Sequence, residues 1–146
     1  MSGGKKWENM YYGSYDRILD NKGRLQIPAR LNKADEKIFY MLRGFDGCIS
    51  IYPSKNFEAL MEKLSNKDFE DEDSRAQIRI ITSSINELNV DSHGRIAIPK
   101  AVLNDYRIGS EVKIIGVLDH FEIWDTLAYA TYTLQHSLGR TSMKGN

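Results

Sequence analysis

A ten-residue segment occurs twice in this chain. Asp20-Asn21-Lys22-Gly23-Arg24-Leu25-Gln26-Ile27-Pro28-Ala29 returns 71 residues later, counted from Asp20 to Asp91, as Asp91-Ser92-His93-Gly94-Arg95-Ile96-Ala97-Ile98-Pro99-Lys100. Asp, Gly, Arg, Ile and Pro recur at fixed places, and Leu25 is matched by Ile96. A chain of 146 residues with one such repeat is built from two copies of a small unit. Each copy is about half a normal domain and buries too little apolar surface alone, so the copies are expected to pack on each other or interleave their strands.

The pattern inside the repeat predicts its local structure. Tyr15 to Leu19 is rich in β-formers and reads as a strand. Asn21-Lys22-Gly23 supplies residues that tolerate the backbone of a tight hairpin turn. Arg24 to Ile27 then alternates, with Leu25 and Ile27 on one face and Arg24 and Gln26 on the other. In the second copy Ile96 and Ile98 face inward, and Arg95 and Ala97 face out. Pro28 and Pro99 end these strands and suit the start of a short helix. Further strands are expected at Ile38–Leu42, Cys48–Tyr52, Val112–Val117 and Phe121–Trp124. The first pair flanks the turn Gly44–Gly47, and the second flanks Leu118-Asp119-His120. Each copy then enters a helix. Phe57, Leu60, Met61 and Leu64 fall on one helical face with Ser54 as the expected cap, and Asp125 caps a second helix through Gln135. Ser65 to Asp73 reads as a polar connector and Arg75 to Ile85 as a helix. Met1 to Asn9 is expected to fray, and Gly139 to Asn146 to be a disordered tail.

Composition excludes several classes. Hydrophobic residues are 41% and charged residues 27%, as in an ordinary globular chain. No apolar run is long enough for a membrane span, and the first residues lead into no signal-peptide core. A cytoplasmic location is expected. The single cysteine, Cys48, reads as a small buried apolar residue. Net charge is zero, with 20 basic and 20 acidic residues, which argues against coating nucleic acid by bulk charge. The charge is nevertheless segregated. Between Asp20 and Arg30 three bases oppose one acid, whereas from Ser54 to Arg75 seven acids oppose four bases.

The repeated Asp and Arg, four residues apart around a glycine, carry the chemistry. The aspartate is placed to accept turn N–H groups, to pair with the arginine, or both. A surface pair of this kind adds little stability, which is a weak reason to carry two. A carboxylate that holds a guanidinium in one rotamer makes a prepared probe for phosphate or guanine. Lys22 and His93 share one motif position and add a cationic or hydrogen-bonding group, while Asn21 and Gln26 add neutral donors.

Little supports an enzyme. The chain has no metal-binding His/Cys pattern, Walker loop or dinucleotide fingerprint, so no catalytic residue, metal or cofactor is assigned. Adjacent Asp119 and His120 are not expected to point together as a dyad. Trp124 and Tyr52 close the two copies at matched positions and read as core packing on the following helix. Trp7 reads as a tail or interface residue.

These residues resemble the MraZ family of bacterial transcriptional regulators, built from two SpoVT-AbrB-type modules. The matching stretches are Met10-Tyr11-Tyr12-Gly13, the two repeats, Gly47 to Pro53, Asn86-Glu87 and Glu122-Ile123-Trp124-Asp125. The resemblance covers roughly Met10 to Gln135. It implies an α+β, mainly β fold of two pseudo-twofold-related swapped-hairpin modules with flanking helices. The expected modules are 14–57 and 83–127, joined by a helical connector at 58–82 and followed by a C-terminal helix and tail at 128–146. It also implies a homo-oligomeric ring, associated with the nucleoid, that binds short repeated boxes of double-stranded promoter DNA and regulates its own operon of cell-division and cell-wall genes. DNA-reading positions map onto Arg24 and Arg95, with Lys22, His93, Asn21 and Gln26 beside them and Asp20, Asp91, Gly23 and Gly94 as supports. The alternative is a non-enzymatic protein-interaction module of the swapped-hairpin antidote type.

Overall fold

A computed structural model describes residues 9–144, with side-chain surroundings through Ser137; Trp7 lies outside the described residues. Among the described residues, eight strands and four α-helices follow one another in an order that repeats. The first copy contains β1 (Ser14–Ile18), β2 (Arg24–Gln26), a 3-10 turn (Ala29–Asn32), β3 (Ile38–Arg43), β4 (Ile49–Pro53) and α1 (Ser54–Ser65). A helix α2 (Glu72–Ser83) leads into the second copy: β5 (Asn86–Asn89), β6 (Arg95–Ala97), α3 (Lys100–Asp105), β7 (Glu111–Gly116), β8 (Phe121–Asp125) and α4 (Thr126–Lys144).

The strands pair between copies. A six-stranded antiparallel sheet has the order β1-β7-β8-β4-β3-β5, and β2 and β6 form a separate two-stranded ribbon. Exchanging the copies swaps β1 with β5, β7 with β3 and β8 with β4, which returns the same order. β1 of the first copy pairs with β7 of the second, and β5 of the second with β3 of the first. The turn at Asp20–Arg24 is therefore tight, yet it does not close the hairpin expected from its sequence. β1 leaves it for the large sheet and β2 for the ribbon. Leu25 and Ile27 are apolar on a short strand, and the partners able to bury them, Ile96 and Ile98, come from the other copy.

Three layers result. One sheet face carries Phe39, Met41, Ile49, Ile51, Val112, Ile114, Phe121 and Ile123, and it joins Leu25, Ile27, Ile96 and Ile98 of the ribbon in a single buried cluster. Phe39 and Phe121 meet edge to face at 5.5 Å across the middle of it, a favoured geometry for aromatic pairs. The other face is covered by helices. Tyr40 of β3 stacks on Phe57 of α1 at 4.2 Å, and Trp124 of β8 packs against Tyr129 and Tyr132 of α4. Alternation along each strand thus feeds two interiors. Because one cluster draws on both copies, neither copy has a core of its own.

Several expectations need correction. Helices occupy more of the chain than strands, so the fold is mixed α and β rather than mainly β. Ser54 is the first residue of α1, not its cap. Pro53 holds that position and offers no side-chain bond. Asp125 does cap α4, accepting the Ala128 N–H at 3.1 Å. That helix continues past Gln135 to Lys144, through residues expected to be a tail, since no proline interrupts it; Gly145 and Asn146 lie outside the described residues. α2 confirms the helix expected over Arg75–Ile85 but starts earlier, capped by Asp71, whose carboxylate accepts the Ser74 N–H at 2.8 Å.

Candidate nucleic-acid interface

The two motif loops have one construction. In the first, Asp20 Oδ1 accepts the backbone N–H groups of Lys22 at 2.9 Å and Arg24 at 2.8 Å, while its Oδ2 accepts from Arg24 Nε at 2.5 Å. In the second, Asp91 Oδ1 accepts from the N–H groups of His93 at 2.8 Å and Arg95 at 2.9 Å, and its Oδ2 from Arg95 Nε at 2.9 Å. The aspartate thus does both things its position allowed: one oxygen shapes the turn and the other orients the arginine. The Arg24 backbone N–H, with help from the guanidinium, lowers the Asp20 pKa to about 2. The Arg95 N–H leads the same downward shift at Asp91. Both carboxylates are therefore charged at neutral pH.

The glycines make the turns possible. Gly23 and Gly94 sit at φ +77° and +78°, a region that side chains disfavour. Their carbonyls then cross-link the copies. Ile98 N–H donates to Gly23 O at 2.9 Å, and Ile27 N–H to Gly94 O at 3.1 Å.

The ribbon puts the candidate side chains on one face. Its register sets Arg24 opposite Ala97, Leu25 opposite Ile96 and Gln26 opposite Arg95. Directly opposed residues point to the same side of a sheet, so Arg24, Gln26, Arg95 and Ala97 all project outward. Leu25 and Ile96 point inward and are fully buried. Arg24 and Arg95 occupy diagonal positions, with Cα atoms roughly 7–8 Å apart. Their side chains are 35% and 28% exposed. Each uses Nε on its aspartate, and among the described residues neither uses its terminal Nη groups in a hydrogen bond. Two guanidinium ends, each fixed by a carboxylate, stand diagonally across one face of the ribbon.

The remaining candidates fall around this face. Lys22 and Asn21 are exposed at the tip of the first loop, and His93 at the tip of the second. The Gln26 side chain reaches the second loop, donating from Nε2 to His93 O at 2.8 Å. That contact spans 67 positions, and its only trace in the sequence is that Ala97, not another glutamine, holds the equivalent place in the second repeat.

A second polar group lies elsewhere. His120 Nδ1 meets Asp119 Oδ1 at 2.8 Å, so the adjacent residues do point together, contrary to expectation. His120 stacks flat on Tyr52 at 4.3 Å, and its Nε2 lies 3.9 Å from Glu122, which also accepts from Trp124 Nε1 at 2.8 Å. Tyr52 and Trp124 are both buried, as their matched positions suggested. Among the described residues no helix is long and apolar enough to cross a membrane.

Comparison with known proteins identifies the family. The family model described as "MraZ protein, putative antitoxin-like" matches residues 10–80 and 82–144. A protein of Pelotomaculum thermopropionicum named Transcriptional regulator MraZ is 39% identical over 115 residues, 79% of each chain. One of the same name from Heliobacterium modesticaldum is 36% identical over 123 residues, 84% of this chain and 86% of that one. Another, from Acetivibrio thermocellus, is 31% identical over 134 residues, 92% of this chain and 94% of its own. With the family model spanning both copies of the repeat and relatives aligned along most of their length, this chain belongs to the MraZ family.

Proposed function

We propose that this protein is a sequence-specific DNA-binding transcriptional regulator that reads base edges with Arg24 and Arg95. One observation carries the proposal: two carboxylate-fixed guanidinium groups share the outer face of the β2–β6 ribbon, with their Nη groups open to a ligand. A two-stranded ribbon is of a size that the major groove admits, and a guanidinium pairs with the O6 and N7 acceptors of guanine. Lys22, His93 and Asn21 at the loop tips are placed for phosphate or sugar contacts, which set register without carrying sequence. The names of the matched relatives support a role in transcription.

The cross-copy pairing supports a swapped-hairpin reading of the two modules, 14–57 and 83–127, with 58–82 as connector and 128–146 as C-terminal segment. A single chain offers few phosphate contacts and no net charge. A homo-oligomeric ring would repeat the ribbon, and repeated promoter boxes would then gain affinity through effective concentration. The target we assign is the promoter of the protein's own operon of cell-division and cell-wall genes. The family description also contains the word antitoxin, which favours a protein partner as the second reading.

The test is fluorescence anisotropy on a duplex covering the DNA upstream of the protein's own gene, across a salt series, beside the Arg24→Ala, Arg95→Ala double variant. Each lost base contact is expected to cost about 1–3 kcal/mol of specific binding. A folded double variant with undiminished affinity would sink the proposal.

A further inference from the structure

Gln26 neighbours both arginines on the outer face of the ribbon and differs from them in what it can offer a base. It lies two residues after Arg24 on the same strand and directly opposite Arg95 on the next, so all three project from one face. Its amide nitrogen is already engaged, donating to His93 O at 2.8 Å and reaching towards Gly94 O at 3.4 Å. Two carbonyl oxygens demand a donor, and this fixes which end of the amide is nitrogen. The oxygen, Oε1, is therefore turned away from the second loop. Among the described residues it accepts no hydrogen bond, and the residue is exposed.

We infer that Gln26 is a specificity-determining residue whose Oε1 selects a base bearing an exocyclic amino group, at one position next to those addressed by Arg24 and Arg95. The inference rests on the DNA-binding function proposed above. A free glutamine pairs with adenine through both ends of its amide. Here the donor end is tied to the backbone, so only the acceptor remains. In the major groove adenine presents N6–H2 and cytosine N4–H2, while guanine and thymine present O6 and O4 at the corresponding edge. An acceptor fixed in place bonds the first two and repels the second two. The expected preference is thus for A or C over G or T on one strand, a distinction that cuts across the A·T and G·C classes. The neighbouring guanidinium groups are pure donors and favour guanine. The outer face of the ribbon thus sets one acceptor beside two donors.

Ala97, which takes the place of Gln26 in the second repeat, has no such group. The contact therefore belongs to one half of the ribbon, and the second loop alone is held by a side chain from the opposite strand.

The experiment is selection from a random duplex library by the full-length protein and by two variants, Gln26→Ala and Gln26→Lys, each checked for an unchanged melting profile. The wild type is expected to enrich A or C over G or T about tenfold at one position, near the lower end of what a base contact supplies. Gln26→Ala is expected to flatten that position while the neighbouring guanines persist. A lysine keeps donors for His93 O and Gly94 O but presents a donor outward, so Gln26→Lys is expected to invert the preference towards G or T. Gln26→Ala retaining the wild-type preference at every position would overturn the inference, as would a uniform loss of enrichment across the site, which marks a loop brace only. Loss of all sequence preference in the wild type would instead overturn the DNA-binding function itself, and this inference with it.

Discussion

Leu25 stands directly opposite Ile96 at the centre of the β2–β6 pair, and neither side chain reaches solvent. They are the same position of the repeat, brought face to face beneath the outward Arg24, Gln26 and Arg95. The ribbon is only three residues on each side, so backbone bonds alone hold it weakly. Its attachment to the sheet depends on this apolar pair with Ile27 and Ile98.

Leu25→Ala removes buried methyl groups where the surroundings cannot fully collapse. A loss of about 2–5 kcal/mol is expected, the usual range for such a truncation. Urea denaturation measures it. A loss below about 0.5 kcal/mol would mean that the ribbon is not anchored through its inner face.

The two motif glycines should not tolerate alanine equally. Both occupy positive φ, which costs an L-residue roughly 1–2 kcal/mol. At Gly23 an added Cβ would also lie 2.4 Å from the Ile98 carbonyl oxygen, part of the backbone that joins the copies. At Gly94 it would meet Gln26 Nε2 at 3.0 Å, the end of a flexible side chain. Gly23→Ala should therefore lower the melting temperature more than Gly94→Ala. Equal effects, or the reverse order, would contradict the packing at Ile98.

Asp20→Asn separates the charge of the loop from its geometry. The asparagine Oδ1 still serves the Lys22 and Arg24 N–H groups, but an amide nitrogen replaces Oδ2 and opposes Arg24 Nε, donor against donor. The variant gains positive charge, so binding to a scrambled duplex should strengthen slightly. Specific binding should weaken because Arg24 loses its fixed rotamer. The ratio of specific to scrambled affinity is expected to fall roughly tenfold, the value of a single base contact, and anisotropy on the two duplexes reads it directly.

Stability should depend on pH through His120. Burial pulls its pKa down, but the Glu122 and Asp119 carboxylates more than reverse this, and the result is raised above 6.5. A raised histidine stabilises the fold fully below its unfolded pKa, and the contribution is lost as pH rises through the folded value. Glu122 is shifted the other way: burial raises it, and His120 and Trp124 outweigh that to leave it below 4.5. Its contribution is lost as pH falls. Between about pH 5 and pH 6 both are present, so wild type should melt higher at about pH 6 than at about pH 8. His120→Gln should reduce that difference. An identical pH slope in the variant would remove His120 as its source.

Local features of this fold were legible in the residues. The turn at Asn21-Lys22-Gly23, the alternation from Arg24 to Ile27 and the cap by Asp125 depend on neighbours within a few positions, and each side chain there has a narrow set of backbone partners. The Asp71 cap of α2 is not legible in the same way, because Asp71 lies in the acidic run Glu70–Asp73, where several side chains could serve. The Ser54 cap failed for a local reason as well: Pro53 ends β4 and already supplies the carbonyl that starts α1. The Asp119–His120 contact depends on Tyr52 holding the imidazole flat from another strand, which no turn sequence announces.

The repeat by itself determined that two like units exist, that each carries an Asp–Arg pair on a glycine turn, and that Leu25, Ile27, Ile96 and Ile98 face inward. It did not determine which strands pair. A strand of three residues has no preference of its own for a neighbour five positions away or 71 positions away. Only burial of both copies' apolar faces in one cluster decides it, and that is a property of the whole packed chain. The tertiary structure therefore set β2 against β6, brought Arg24 and Arg95 onto one surface, and placed the Gln26 amide on the backbone of the opposite loop.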